Sequence, residues 1–138
     1  MKQRVLFICT HNSARSQMAE GLLNYHYSDK YEGYSAGIEA TQVNPYVVKA
    51  MAEIGIDISN QRSKSIEEFH GETFDYVVTV CDHAKEICPF FPGKIILHKG
   101  FDDPSSFTGT EEEILKQVKR VRDEIKKWIA DTFSVDTH

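Results

Sequence analysis

Residues 5–16 read Val5-Leu6-Phe7-Ile8-Cys9-Thr10-His11-Asn12-Ser13-Ala14-Arg15-Ser16. The first five form an unbroken apolar run, the pattern of a strand buried on both faces of a parallel sheet. A short polar stretch follows. From Ser16 onward apolar positions recur at helical spacing, with Met18, Leu22, Leu23 and Tyr25 or His26 on one side. Successive N–H groups in such a strand-to-helix turn can form a concave anion nest. The helix N-terminus adds its positive end. Arg15 offers two parallel donors to a tetrahedral oxyanion. The same field favours a thiolate at Cys9, and Ser16 is placed to donate a hydrogen bond to it. Cys9, five intervening residues, Arg15 and Ser16 together describe attack by sulfur on phosphate or a phosphate mimic. Thr10, His11, Asn12, Ser13, Ala14 and Arg15 would line the cradle. The plain alternative is a buried, inert cysteine beside an incidental arginine, and the strand–loop–helix context argues against it.

The rest of the chain repeats the alternation. Tyr31 to Ala36 is expected as a second strand, closed by Gly37. Asn44 caps a second helix, with Pro45 in its first turn, where a missing N–H costs nothing. That helix carries Val47, Val48, Met51 and Ile54 and ends at Gly55. Ser65 and Glu68 have the spacing of a capping box for a short helix. Asp75 to Val80, rich in β-branched and aromatic residues, is the clearest strand, and Lys94 to His98 is a fourth. Thr110 and Glu113 form another capping box ahead of the longest helix. Its stripe is Ile114, Val118, Val121, Ile125 and Trp128, widened by Ile129, and its charged face should meet solvent. Ser134 to His138 should fray. Strands alternating with helices predict a single α/β domain over residues 1–138. Its architecture would be a doubly wound, four-stranded parallel sheet with helices on both faces. Such sheets bind ligands at the carboxyl ends of their strands, where the Cys9 loop lies.

Composition excludes several classes. The chain has 138 residues, enough for one domain, and its sixteen basic and twenty-one acidic residues give a net charge of −5. That balance argues against a general nucleic-acid binder. The longest apolar runs span four or five residues, whereas a membrane helix needs roughly 20. Met1-Lys2-Gln3-Arg4 leads straight into the first strand without a small-residue cleavage site, so a secretory signal is not expected. A cytoplasmic monomer is the expectation. Three cysteines are too few for a disulfide scaffold, and in the cytosol they are more often reactive or incidental.

The Cys9 loop, together with Ser35-Ala36-Gly37, Asn44-Pro45 and Asp102-Asp103-Pro104, resembles the low-molecular-weight protein tyrosine phosphatases over roughly residues 4 to 130. The resemblance implies that Asp103, before Pro104, is a general acid. The residues alone agree, because a carboxyl group on the loop after the fourth strand faces the same sheet edge and can protonate a leaving oxygen. A simple turn aspartate before proline is the competing reading.

Cys81 and Cys88 follow the third strand, and a plain phosphatase needs neither. The pair seven apart, the Cys88-Pro89 step and Gly100-Phe101-Asp102-Asp103-Pro104 resemble the thioredoxin-coupled arsenate reductase branch of that fold. Arsenate copies the shape and charge of phosphate, and thiols can reduce it. The resemblance implies a relay in which Cys9 attacks arsenate, Cys81 attacks the Cys9 adduct, Cys88 resolves the Cys9–Cys81 disulfide, and thioredoxin reduces the final Cys81–Cys88 pair. If residues 81–88 were helical, about 1.5 Å per residue would separate the two Cα atoms by roughly 10 Å. A disulfide needs roughly 7 Å or less, so the segment would have to loop or unwind on oxidation.

Some members of that branch hold a potassium ion with residues matching Asn12, Glu20 and Ser35, plus an aspartate. Lys64 stands at the aspartate's position. A cation site is therefore not expected. Lys64 would instead pair with Glu20 and support the Asn12 turn, or else point into solvent. Cys81, His83, Cys88 and His98 do not have the spacing of paired zinc knuckles, so no metal and no cofactor is expected. His11 would either tune the anion site or face solvent. Two other function classes stand beside the reductase. One is a phosphatase using Cys9, Arg15 and Asp103, although Ser105-Ser106-Phe107 replaces the aromatic residues usual after the Asp-Pro pair. The other is a phosphocarrier or thiol sensor, which would leave Arg15, Asp103 and the distal cysteines unexplained together.

Overall fold

The computed structural model describes residues 2–81 and 90–133. Cys88, the 81–88 geometry and the expected fraying of Ser134 to His138 lie outside the described residues. The elements are β1 (Gln3–Cys9), α1 (Arg15–His26), β2 (Tyr31–Gly37), α2 (Pro45–Glu53), β3 (Tyr76–Thr79), β4 (Ile95–His98) and α3 (Glu111–Phe133), with short 3-10 helices at Ile66–Phe69 and Pro104–Ser106. All strand pairs are parallel, in the order β2-β1-β3-β4. β1 is the strand buried on both faces that the apolar run predicts, with Val5, Leu6, Phe7 and Ile8 wholly buried.

Alternate β1 residues serve opposite faces. Val5, Phe7 and Cys9 join a core with Met18, Leu22 and Leu23 of α1, Val47, Ala50 and Met51 of α2, and Val118, Val121, Ile125, Ile129 and Phe133 of α3. Leu6 and Ile8 join a smaller aromatic core of Phe69, Phe74 and Phe91. Helices do lie on both faces, but unequally among the described residues. The three α-helices share one face, while the 3-10 helix Ile66–Phe69 and aromatic side chains cover the other.

Several local expectations change. The α1 stripe ends at Leu23, and Tyr25 is exposed, as is His26, because the last turn runs past the edge of the core. Ser65 caps its 3-10 helix through the Glu67 N–H, and Glu68 turns away to pair with Arg62, so no reciprocal box forms. The Thr110–Glu113 box does form, with 3.2 Å bonds in both directions. Arg122, expected at the solvent face of α3, is buried and ties that helix to α2 by donating to the Ala50 carbonyl at 2.7 Å and to Glu53 at 3.3 Å. β4 is an edge strand, with Ile95 and Ile96 exposed.

β1 lies between β2 and β3, so the chain leaves it in one direction through α1 and later returns to its other side. The carboxyl ends of β1 and β3 border that change of direction, where open α/β sheets form their crevice. β1 ends at Cys9, and Cys81 lies two residues beyond β3.

Candidate active site

The Cys9 loop is shaped from outside. The Ile38 and Glu39 N–H groups donate to the Thr10 carbonyl at 2.8 and 3.2 Å, the Ser63 hydroxyl to the His11 carbonyl at 2.9 Å, and the Asn44 N–H to the Ser13 carbonyl at 2.9 Å. In planar trans peptides, an outward carbonyl turns the N–H of the next residue inward. The His11, Asn12 and Ala14 N–H groups therefore face the hollow of the loop, as in an anion nest. Ala14 precedes α1 without a side-chain cap, and the first turn of α1 carries no acidic residue. The positive helix end is thus left for a ligand.

Asn12 permits the loop's sharpest bend. Its φ is +52°, a left-handed conformation that asparagine tolerates better than most residues. Its wholly buried side chain is engaged at both its oxygen and its nitrogen. Oδ1 accepts from the Lys64 N–H at 2.7 Å and from Gln17 at 2.9 Å, and Nδ2 donates to the Ser16 hydroxyl oxygen at 2.7 Å. Because Ser16 accepts from Asn12, its own proton is available to Cys9. The Cys9 sulfur lies 2.8 Å from Ser16 Oγ, so the chain Asn12, Ser16, Cys9 can end in a hydroxyl donor aimed at the sulfur.

Arg15 is 2% exposed. Its Nη1 donates to the Phe101 carbonyl at 3.2 Å, and Nη2 lies 3.6 Å from Asp103 Oδ2. The other Asp103 oxygen accepts from the Ser105 N–H at 3.0 Å. Asp103 therefore makes the turn before proline and also faces the Cys9 loop. This geometry is compatible with both readings of the residue. His11 is half-buried, and its Nδ1 is shut off from solvent without a hydrogen-bond partner among the described residues. The ring is not the solvent-facing side chain of one sequence reading.

Cys81 is buried, and its sulfur lies 3.7 Å from the Ile8 carbonyl, one residue before Cys9. Cys9 is a free thiol, and Cys81 is disulfide-bonded. β1 and β3 thus place two of the three cysteines at neighbouring strand ends.

Behind the loop, Lys64 Nζ lies 3.6 Å from Glu20 Oε1, which also accepts from the Ser35 hydroxyl at 2.5 Å. Burial raises the Glu20 carboxyl above its ordinary value, while Lys64 and Ser35 act in the opposite direction. Lys64 Nζ also donates to the Arg62 carbonyl at 2.8 Å. The expected pairing with Glu20 is present, while Asn12 is held by the Lys64 backbone N–H and not by its ammonium. These residues do not fit a potassium ion, because a hard cation needs oxygen donors and here an ammonium stands beside the Glu20 carboxylate instead. Among the described residues, no three His, Cys, Asp or Glu side chains are grouped so as to hold a metal ion. The expected result of exchanging sodium for potassium at equal ionic strength is an unchanged melting temperature. A rise specific to potassium would show that an ion binds here despite Lys64.

Sequence reasoning used Gly37 only as a strand end and part of a motif. A Cβ there would meet the Thr10 carbonyl oxygen at 2.7 Å and the Asn12 nitrogen and Cys9 carbonyl oxygen at 2.8 Å. The first loop residues can lie against β2 only because residue 37 has no side chain. Placing Gly37 in the Ser-Ala-Gly motif hinted at this, but the contact itself is invisible in the sequence.

Residues 4–133 match the low molecular weight phosphotyrosine protein phosphatase family. An arsenate reductase of Halalkalibacterium halodurans is 52% identical over 129 residues, covering 93% of each chain. A solved arsenate reductase in the phosphate binding state superposes with a TM-score of 0.81 at 31% identity, over 97% of this chain and 98% of that one. A low molecular weight protein tyrosine phosphatase from T. tengcongensis gives a TM-score of 0.73 at 26% identity, over 96% and 99%.

Proposed function

This chain belongs to the low molecular weight phosphotyrosine protein phosphatase family, and we propose that within it the chain reduces arsenate to arsenite through Cys9, Cys81 and Cys88, with thioredoxin as reductant. The observation that carries the reading is the pairing of a free Cys9 in an anion-shaped loop with a disulfide-bonded Cys81 at the adjacent strand end. The names of its relatives as arsenate reductases support the same activity.

Arsenate enters the loop against the inward N–H groups of His11, Asn12 and Ala14 and the Arg15 guanidinium. The Cys9 thiolate, steadied by Ser16, attacks arsenic. An arsenic–oxygen bond breaks, and Asp103 protonates the departing oxygen, which leaves as water. The Cys81 thiolate then attacks the Cys9 sulfur. The sulfur–arsenic bond breaks, its electron pair stays on arsenic, and arsenite departs, leaving a Cys9–Cys81 disulfide. Attack of Cys88 on the Cys81 sulfur frees Cys9 and forms Cys81–Cys88. The dithiol of thioredoxin reduces that bond by exchange. Arsenic gains two electrons and two thiols become one disulfide, so the cycle balances.

The phosphatase reading rests on a specific observation too. Arg15, Asp103 and Cys9 converge without Cys81, so hydrolysis of activated phosphoesters is expected as a side reaction. Asp103→Asn keeps the turn but removes the transferable proton. It should slow the arsenate step by about 10²–10⁴-fold. A loss well under tenfold in single-turnover kinetics would leave Asp103 as a turn residue only. The experiment for the reading as a whole is arsenite formation by the purified protein with thioredoxin, its reductase and NADPH. Sustained turnover supports it, and phosphoester hydrolysis without any arsenite would replace it with the phosphatase.

A further inference from the structure

Two arginines hold the loop that carries Asp103. Arg15 takes the Phe101 carbonyl and faces Asp103. Arg120 of α3 takes the residue between them, donating from Nη2 to Asp102 Oδ2 at 3.0 Å. Its guanidinium also lies over the Phe107 ring, 5.8 Å from the centroid. Arg120 therefore touches the loop on both sides of the 3-10 turn Pro104–Ser106. It is also held on its own helix, where Nε donates to Gln117 at 3.0 Å and Nη1 to Glu124 at 2.9 Å. Three fixed contacts and a stacked face leave it little freedom to follow a moving loop.

We propose that Arg120 is a positioning residue for the acid step, holding Asp102 and Phe107 against α3 so that the Asp103 carboxyl stays turned toward Arg15 and the Cys9 loop. This rests on the reading of Asp103 as the acid. Asp102 and Asp103 are adjacent carboxylates, and either can attract Arg15. With Asp102 engaged by Arg120, Asp103 is the carboxylate left facing Arg15. Asp102, Arg120 and Glu124 are each about half exposed, and such ion pairs add little to stability. Position is a different matter, because a displacement of about 1 Å can cost on the order of 10²-fold in rate.

The test is a double-mutant cycle read by single-turnover reduction of arsenate. Arg120→Ala is expected to slow the step by about tenfold, less than removing the acid itself. Its melting temperature should stay close to that of the unmodified protein. Asp102→Asn weakens the same contact from the loop side without altering α3 and should give a loss of the same order. In an Asp103→Asn background, Arg120→Ala should add nothing, because there is no longer an acid to position. Equal losses from Arg120→Ala with and without Asp103 would overturn the proposal, as would a rate within twofold of the unmodified protein. A small effect of Asp103→Asn alone would instead remove the acid reading on which the proposal depends.

Discussion

Cys9→Ser is expected to abolish both arsenate reduction and phosphoester hydrolysis, whereas Cys81→Ser abolishes reduction alone. The contrast follows from where the sulfurs sit. The Cys9 sulfur is the one held in the anion loop, 2.8 Å from Ser16 Oγ. A serine hydroxyl there ionises far less readily than a thiol and cannot form the sulfur–arsenic bond. Cys81 is buried against the Ile8 carbonyl, at the strand end beside the loop. Its proposed task begins only after the adduct exists. The Cys81→Ser protein should therefore keep its activity on p-nitrophenyl phosphate while losing arsenite formation. Catalytic arsenite formation by Cys81→Ser with thioredoxin would contradict the assigned order.

Gly37→Ala should also be damaging, although residue 37 has no functional group. The added methyl would lie within 2.8 Å of three backbone atoms of Cys9, Thr10 and Asn12. Backbone cannot yield as the end of a flexible side chain can. Gly37 also donates to the Lys64 carbonyl at 2.9 Å, so it cannot retreat without loosening the segment that supports Asn12. Overpacking of this kind commonly costs about 1–3 kcal/mol. The greater effect should be on rate, since a loop displaced by about 1 Å can lose on the order of 10²-fold. Circular dichroism melts and single-turnover arsenate kinetics separate the two effects. Unchanged kinetics would show that the loop has more room than its contacts imply.

The parts of this architecture that were legible in the sequence are those encoded locally. The run Val5 to Cys9 announced a strand buried on both faces, and Thr110 with Glu113 announced the start of α3. Cys9, Arg15 and Ser16 lie within eight positions of one another, so their spacing carried the loop chemistry. What escaped depends on pairs distant in sequence. Arg122 looked like part of a solvated face because the carbonyl it meets, Ala50, lies 72 positions away. Gly37 and Arg120 likewise have their effect through segments that only the fold brings near. Tyr25 shows the opposite error, because a periodic stripe does not say where the core beneath it ends.

The central claim is that arsenate reduction consumes this protein's own thiols in sequence. Its most direct test is to treat the fully reduced protein with arsenate in the absence of any reductant, measure arsenite, and titrate and map the remaining thiols. The account predicts a pair of thiols lost for each arsenite formed, with Cys9 free again and the disulfide mapped to Cys81 and Cys88. In Cys88→Ser the disulfide should instead be trapped between Cys9 and Cys81. Arsenite formed with all three thiols intact, or a disulfide that never includes Cys9 in the Cys88→Ser protein, would contradict it.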